Sequence, residues 1–171
     1  IHGLRGLLYT LAPDAPEADL NQKARIRNLA HHLQIEQTLA MNWPSHIGKP
    51  MVMKGYDYSI NLYPEIALRR ANDIDLLVPT TILDDVVSHL SKTMTLRAPP
   101  KENRFTDEAP SALTFEKDGI TVDLHTSPVM LHQTQLDPLR LIDRAIEGKL
   151  GQCHVLYPSQ IDRLWLWLQN L

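Results

Sequence analysis

The sequence predicts an α+β domain: a mixed β-sheet that contains an antiparallel hairpin and is flanked by helices. Three observations carry that prediction. Apolar residues recur at helical spacing over residues 23–42 and 80–92. Short apolar runs closed by glycine or proline, "PMVMKG" and "DIDLLVP", read as buried strands. In "ALTFEKDGITVDLHTS", Asp118-Gly119 joins two β-type runs, the signature of a tight hairpin. Helices first, then strands and helices around a hairpin, argue against a simple βαβ repeat.

Taken in order, "IHGLRGLLYTLA" at residues 1–12 predicts a short helix stopped by Pro13 and Pro16. From Lys23 to Asn42, the residues Ile26, Leu29, Ala30, Leu33 and Ala40 mark a helical stripe that Pro44 and Gly48 end. His31 and His32 ride on it and read as surface or hydrogen-bonded histidines. "YDYSINLYPEIALRR" has helical character interrupted at Pro64. Residues 80–92 open with Thr and place Ile82, Leu83, Val86, Val87 and Leu90 on one face. "MTLRA" predicts a strand. Residues 99–110, rich in proline and charge and carrying Lys101 and Arg104, predict a loop. A helix is expected over 136–147, a strand over 152–156, and a last helix over 158–170 with Pro158 near its start.

The 171 residues suffice for one domain with its own core. It divides into a helical lead-in (1–48), a sheet core (49–130) and a C-terminal helical part (131–171). The chain begins at Ile1 and stops inside the apolar pattern "DRLWLWLQNL", so it reads as a piece of a longer protein, truncated in its C-terminal part. A hydrophobic content of 43% and a charged content of 22% are those of an ordinary globular protein. A net charge of −3 gives no strong nucleic-acid signal. No apolar run is long enough for a membrane span. One cysteine, Cys153, excludes an internal disulfide and fits a reducing, cytoplasmic setting; in its apolar run it reads as a small core residue.

The chemistry concentrates in the acids. On a strand, side chains alternate between faces, so Asp73 and Asp75 point the same way, their Cα atoms roughly 6.5 Å apart. Ile74 and Leu76 point into the core. In "ITVDLHT", Thr121, Asp123 and His125 share a face in the same manner. If the two strands are neighbours, three carboxylates gather and repel one another. Mg²⁺ prefers such oxygen donors together with substrate phosphates, and two ions roughly 3.5–4 Å apart can activate an attacking oxygen and stabilise a leaving one. Upstream, Lys54-Gly55 between a strand and a helix offers close backbone approach and a positive charge for phosphate, and Arg69 and Arg70 can reach phosphate oxygens. An isolated D-x-D is commonplace and mostly marks solvated acids. The conjunction of Lys-Gly, arginines, D-x-D entering an apolar strand, and a third acid on a hairpin strand carries the weight.

That conjunction resembles the nucleotidyltransferase superfamily with the DNA-polymerase-beta-like fold. More closely it is similar to the family of uncharacterised nucleotidyltransferases, whose "LKG…YP…R…DIDLLV" and later "VDLH" are matched by "VMKG", "LYP", "RRANDIDLLVP" and "ITVDLH". "HGLRGLLYTL" and "VLYPSQIDRLWLWL" extend the likeness over most of the chain. The resemblance implies a nucleotidyltransferase fold and a two-metal transfer of a nucleoside monophosphate from an NTP such as ATP to an unknown hydroxyl acceptor, which is a small molecule, a protein or an RNA end. It implies that Asp73, Asp75 and Asp123 are catalytic and hold two Mg²⁺ ions, with Asp123 also helping to activate the acceptor hydroxyl. Lys54 and Gly55 take the phosphate-turn position. One departure stands out: the broad superfamily places Gly-Ser or Gly-Gly in that turn, closer to the D-x-D, whereas here Tyr56 follows Gly55 and the gap is longer.

Two other readings compete. A catalytically inactive binding module could keep the fold and serve a partner protein. A metal-dependent phosphodiesterase could use Asp123 and His125, although only one histidine lies near the acids in sequence. His125 is otherwise expected to orient Asp123 by a hydrogen bond. Replacing Asp73 and Asp75 by Asn is expected to abolish metal and NTP binding while stability holds or rises, because repulsion falls.

Overall fold

A computed structural model describes residue 11 and residues 18–97, 112–128 and 137–169. The expected helix at 1–12, apart from Leu11, and the loop at 99–110 lie outside the described residues. The first half runs α1 (Ala18–Asn42), β1 (Met51–Met53), α2 (Lys54–Asn61), a 3₁₀ turn (Ile66–Leu68), β2 (Asp73–Leu77) and α3 (Thr80–Leu90). The second half runs β3 (Thr95–Leu96), β4 (Ala112–Lys117), β5 (Ile120–His125), α4 (Pro138–Asp143), β6 (Ile146–Leu150), β7 (Cys153–Tyr157) and α5 (Gln160–Gln169).

The described strands form one mixed sheet in the order β3-β4-β5-β2-β1-β7-β6. β2 runs parallel to β5 and antiparallel to β1, which runs parallel to β7. The α+β expectation therefore holds. The β4–β5 hairpin turns at Asp118 and Gly119, both at positive φ (51° and 78°), as a two-residue Asp-Gly loop requires. Alternation along the central strands sends Val52, Ile74, Leu76, Val122 and Leu124 to one face, where Ile35 and Leu39 of α1, Trp43 just after it, and Val86 and Leu90 of α3 cover them. Met51, Met53 and Leu77 go to the opposite face and pack against Leu141 of α4. The aspartates share that second face.

Two elements differ from expectation. The helix expected over 136–147 stops at Asp143; Asp137 caps it through the Leu139 amide, and Arg144 leaves helical geometry. Residues 146–150 instead form the edge strand β6, so the sheet continues into the part expected to be helical. Gly148 explains why: a Cβ there would lie 2.6 Å from the Tyr157 ring, so only glycine lets that ring pack across the hairpin.

The second difference concerns α1. Ile26, Leu29 and Leu33, the stripe that marked the helix, are exposed, while Asn28, His32, Ile35, Leu39 and Trp43 face inward. The inner face is partly polar because it lies on the irregular 66–70 segment, whose carbonyls need donors. The Asn28 amide donates to Ala67 O at 2.9 Å, and His32 Nε2 donates to Arg69 O at 2.9 Å. Among the described residues no helix is long and apolar enough to cross a membrane. Cys153 is buried, as expected of a core residue, and burial pushes its thiol up to about 11.

Candidate functional site

The site is built where β1 ends, β2 begins and β5 runs alongside. In the antiparallel β1–β2 pair, Met53 lies opposite Asp75. The chain then enters Lys54 at φ 50°, a left-handed conformation that costs a lysine energy and turns the chain sharply into α2. This turn delivers the lysine to the carboxylate: Lys54 Nζ donates to Asp75 Oδ1 at 2.9 Å.

In the parallel β2–β5 pair, Asp75 is in register with Asp123, and Asp73 with Thr121. Asp73, Asp75 and Asp123 therefore share one face of two adjacent strands. His125, two residues beyond Asp123, places Nε2 2.7 Å from Asp75 Oδ1. A carboxylate only accepts, so the imidazole N–H donates. The same oxygen thus receives both Lys54 and His125, and the 3.3 Å approach of Lys54 Nζ to His125 Nε2 is that of two donors sharing one acceptor. His125 serves Asp75, not Asp123 as the sequence suggested. In a parallel pair its side chain leans back along the face toward the D-x-D, which strand alternation cannot reveal.

The three acids differ electrostatically. Burial alone would lift Asp75, but the His125 hydrogen bond and the Lys54 charge outweigh it and hold the carboxyl below its ordinary value. Asp73 sits above its ordinary value, first through burial and then through repulsion from Asp75 and Asp123. Asp123 Oδ1 is buried with no hydrogen-bond partner among the described residues. As they stand, no three His, Cys, Asp or Glu side chains among the described residues form a metal-holding group. The carboxylates line a common face, but Asp75 is engaged by Lys54 and His125.

The phosphate-side residues divide. Arg69 donates Nη1 to the Gly55 carbonyl, and its guanidinium lies 5.7 Å from the centre of the Tyr58 ring. A Cβ on Gly55 would stand 3.1 Å from that same nitrogen, so the glycine serves the close approach of Arg69. Lys54 is ion-paired to Asp75. Arg70 is exposed and lies beside α1.

Tyr58 escaped the sequence reading. It stands one turn after Lys54 on α2, buried, its hydroxyl without a hydrogen-bond partner among the described residues. Burial first, with Asp57 and Asp75 adding to it, pushes this phenol up to about 12. The i, i+4 spacing from Lys54 was the available signal.

A family model described as "Uncharacterised nucleotidyltransferase" matches residues 11–168 of the chain. No curated protein and no solved structure matches the chain.

Proposed function

The chain belongs to the uncharacterised nucleotidyltransferase family, and from that premise we propose that it moves a nucleoside monophosphate from an NTP, ATP among them, to a hydroxyl acceptor. The proposal includes two Mg²⁺ ions held by Asp73, Asp75 and Asp123. The observation that carries it is the register of Asp75 with Asp123, with Asp73 two residues along the same face.

The chemistry of the donor set suits the metal, which would have to draw the three side chains together as ligands. All three groups are carboxylates, the oxygen ligands that Mg²⁺ prefers. Asp123 Oδ1 is a buried acceptor with nothing to accept from among the described residues, and such an atom is costly until a ligand takes it. Burial first, and then repulsion from Asp75 and Asp123, lifts Asp73, and that repulsion is the kind a cation relieves. Bound Mg²⁺ would neutralise phosphate charge and make the acceptor hydroxyl more acidic. The protein's own part follows from position. The uncommitted oxygen of Asp123 can accept the hydroxyl's hydrogen bond and orient it. Met51, Met53, Leu77 and Leu141 form an apolar wall on the same face, which keeps water away and strengthens every charge interaction there. Lys54, once it exchanges Asp75 for a phosphate oxygen, stays a positive charge at the same end of the strand.

Isothermal titration with ATP tests the reading. Saturable binding that requires Mg²⁺ and is lost in Asp123→Asn is the expected result; a folded chain that binds no NTP with any divalent metal overturns it.

One observation favours a second reading, a fold-retaining binding module. Lys54 and His125 already balance Asp75 without any metal. Under this reading Asp123→Asn leaves all ligand binding unchanged.

A further inference from the structure

On the flank of α1 lies a cavity of about 500 Å³ lined by Ala24, Arg27, Asn28, Ala30, His31, Gln34 and Arg70. No carboxylate of the described residues lines it. The arginines nearby have different fates: Arg25 is committed to Glu65, and Arg69 to the Gly55 carbonyl. Arg27 and Arg70, both exposed, form no ion pair among the described residues. His31 adds a buried Nε2 with no hydrogen-bond partner among the described residues. Two guanidinium groups without an ion pair among the described residues, a histidine and the Gln34 carboxamide thus line a concave space on a chain whose net charge is −3.

The walls of this groove are held firm. Asn28 grips Ala67 O and His32 grips Arg69 O, so the backbone leading into Arg70 is pinned to α1. Arg70 precedes Asp73 by three residues, so their Cα atoms are no more than about 10.5 Å apart. The two positions are close along the chain, while α1 covers the sheet face opposite the one that the aspartates share.

We propose that this groove is a binding site for a phosphate-bearing group, held by Arg27 and Arg70 with His31 and Gln34 completing the contacts. Guanidinium forks suit phosphate oxygens, and among the described residues no acid in the lining competes for them. The phosphate comes either from the NTP or from a phosphorylated acceptor. Its use in catalysis rests on the nucleotidyl-transfer reading above; its affinity for anions does not.

The test uses inorganic pyrophosphate with EDTA present, followed by NMR of the 171-residue chain. Saturable shifts at Arg27, His31, Gln34 and Arg70 are expected, weakened at least tenfold in the Arg27→Gln/Arg70→Gln double variant and retained in Asp73→Asn. Absence of saturable shifts, or a double variant that binds like the parent, overturns the proposal. Adding Mg²⁺-ATP to the pyrophosphate-loaded protein then assigns the source. Competition identifies the groove with the NTP phosphates, and independent binding identifies it with a phosphorylated acceptor; either supports the site. A chain that binds pyrophosphate here but no NTP leaves the groove standing and removes only the transferase reading.

Discussion

Lys54 and Asp75 form an ion pair across neighbouring elements, Nζ to Oδ1 at 2.9 Å, with both side chains largely buried and His125 sharing the same oxygen. The lysine occupies a strained left-handed backbone position to do so. It acts as the internal counter-ion of an acidic face.

Lys54→Met should therefore destabilise the protein in EDTA by about 3 kcal/mol, the usual cost of leaving one partner of a buried pair uncompensated. If carboxylates and Mg²⁺ belong together here, the metal should restore more stability to this variant than to the parent. Chemical denaturation with and without Mg²⁺ reads both effects; equal metal stabilisation of the two proteins would argue against shared occupancy.

Asp73 and Asp75 should respond oppositely to Asn substitution, where the sequence suggested that both changes are harmless or stabilising. Asp75→Asn discards the partner of Lys54 and should lower stability by about 3 kcal/mol. Asp73→Asn removes a carboxylate held above its ordinary value and should raise Tm slightly at pH 7 in EDTA. For an acid with a raised folded value, the penalty is full above that value and vanishes below the ordinary 3.8, so the gain should disappear at pH 3.5. Tm measured against pH for both variants checks the signs.

His32 should make the fold sensitive to mild acid. Its Nε2–H is spent on Arg69 O, and its Nδ1 is buried without a partner among the described residues. Burial first, then the neighbouring His31 and Arg69 charges, lower it from 6.5 despite opposing backbone hydrogen bonds. For a histidine with a depressed folded value, the stability is present above 6.5 and is lost as pH falls through the window beneath it. His32→Gln should flatten the decline in unfolding free energy between pH 7 and pH 5; an unchanged slope would contradict this.

Asp57 of α2 and Arg163 of α5 pair in the interior, with Nε to Oδ2 at 2.7 Å and Nη2 to Oδ1 at 3.0 Å. Asp57→Ala should cost about 3–5 kcal/mol because it strands a buried guanidinium. The Asp57→Leu/Arg163→Met double variant should recover much of that loss. A double-mutant cycle in urea measures the coupling, and strictly additive losses would show that the pair is not a unit.

Much of the site was legible in residues 73–77 and 120–125 because strand alternation is a local property. It assigned Asp73, Asp75 and Asp123 to common faces and Ile74, Leu76, Val122 and Leu124 to the core. Asp118-Gly119 announced its hairpin for a similar reason: positive φ is a matter of local sterics. Ile146–Leu150 resisted, since an exposed edge strand with Glu, Gly and Lys shows no clean period, and Gly148 makes sense only against Tyr157. The α1 stripe misled because that helix buries donors for the carbonyls of Ala67 and Arg69 and leaves leucines outside.

The sequence by itself determined which residue types lie on each strand face, where the hairpin turns, and the family pattern to which the acids belong. Only the tertiary structure decided that β2 and β5 run parallel in register, that Lys54 and His125 both serve Asp75, and that Arg69 closes on Gly55 while Arg70 turns to α1. Alternation and turn chemistry act within a few residues of the chain. The partner of a buried charge is chosen by desolvation and pairing across elements tens of residues apart, and no local pattern encodes that choice.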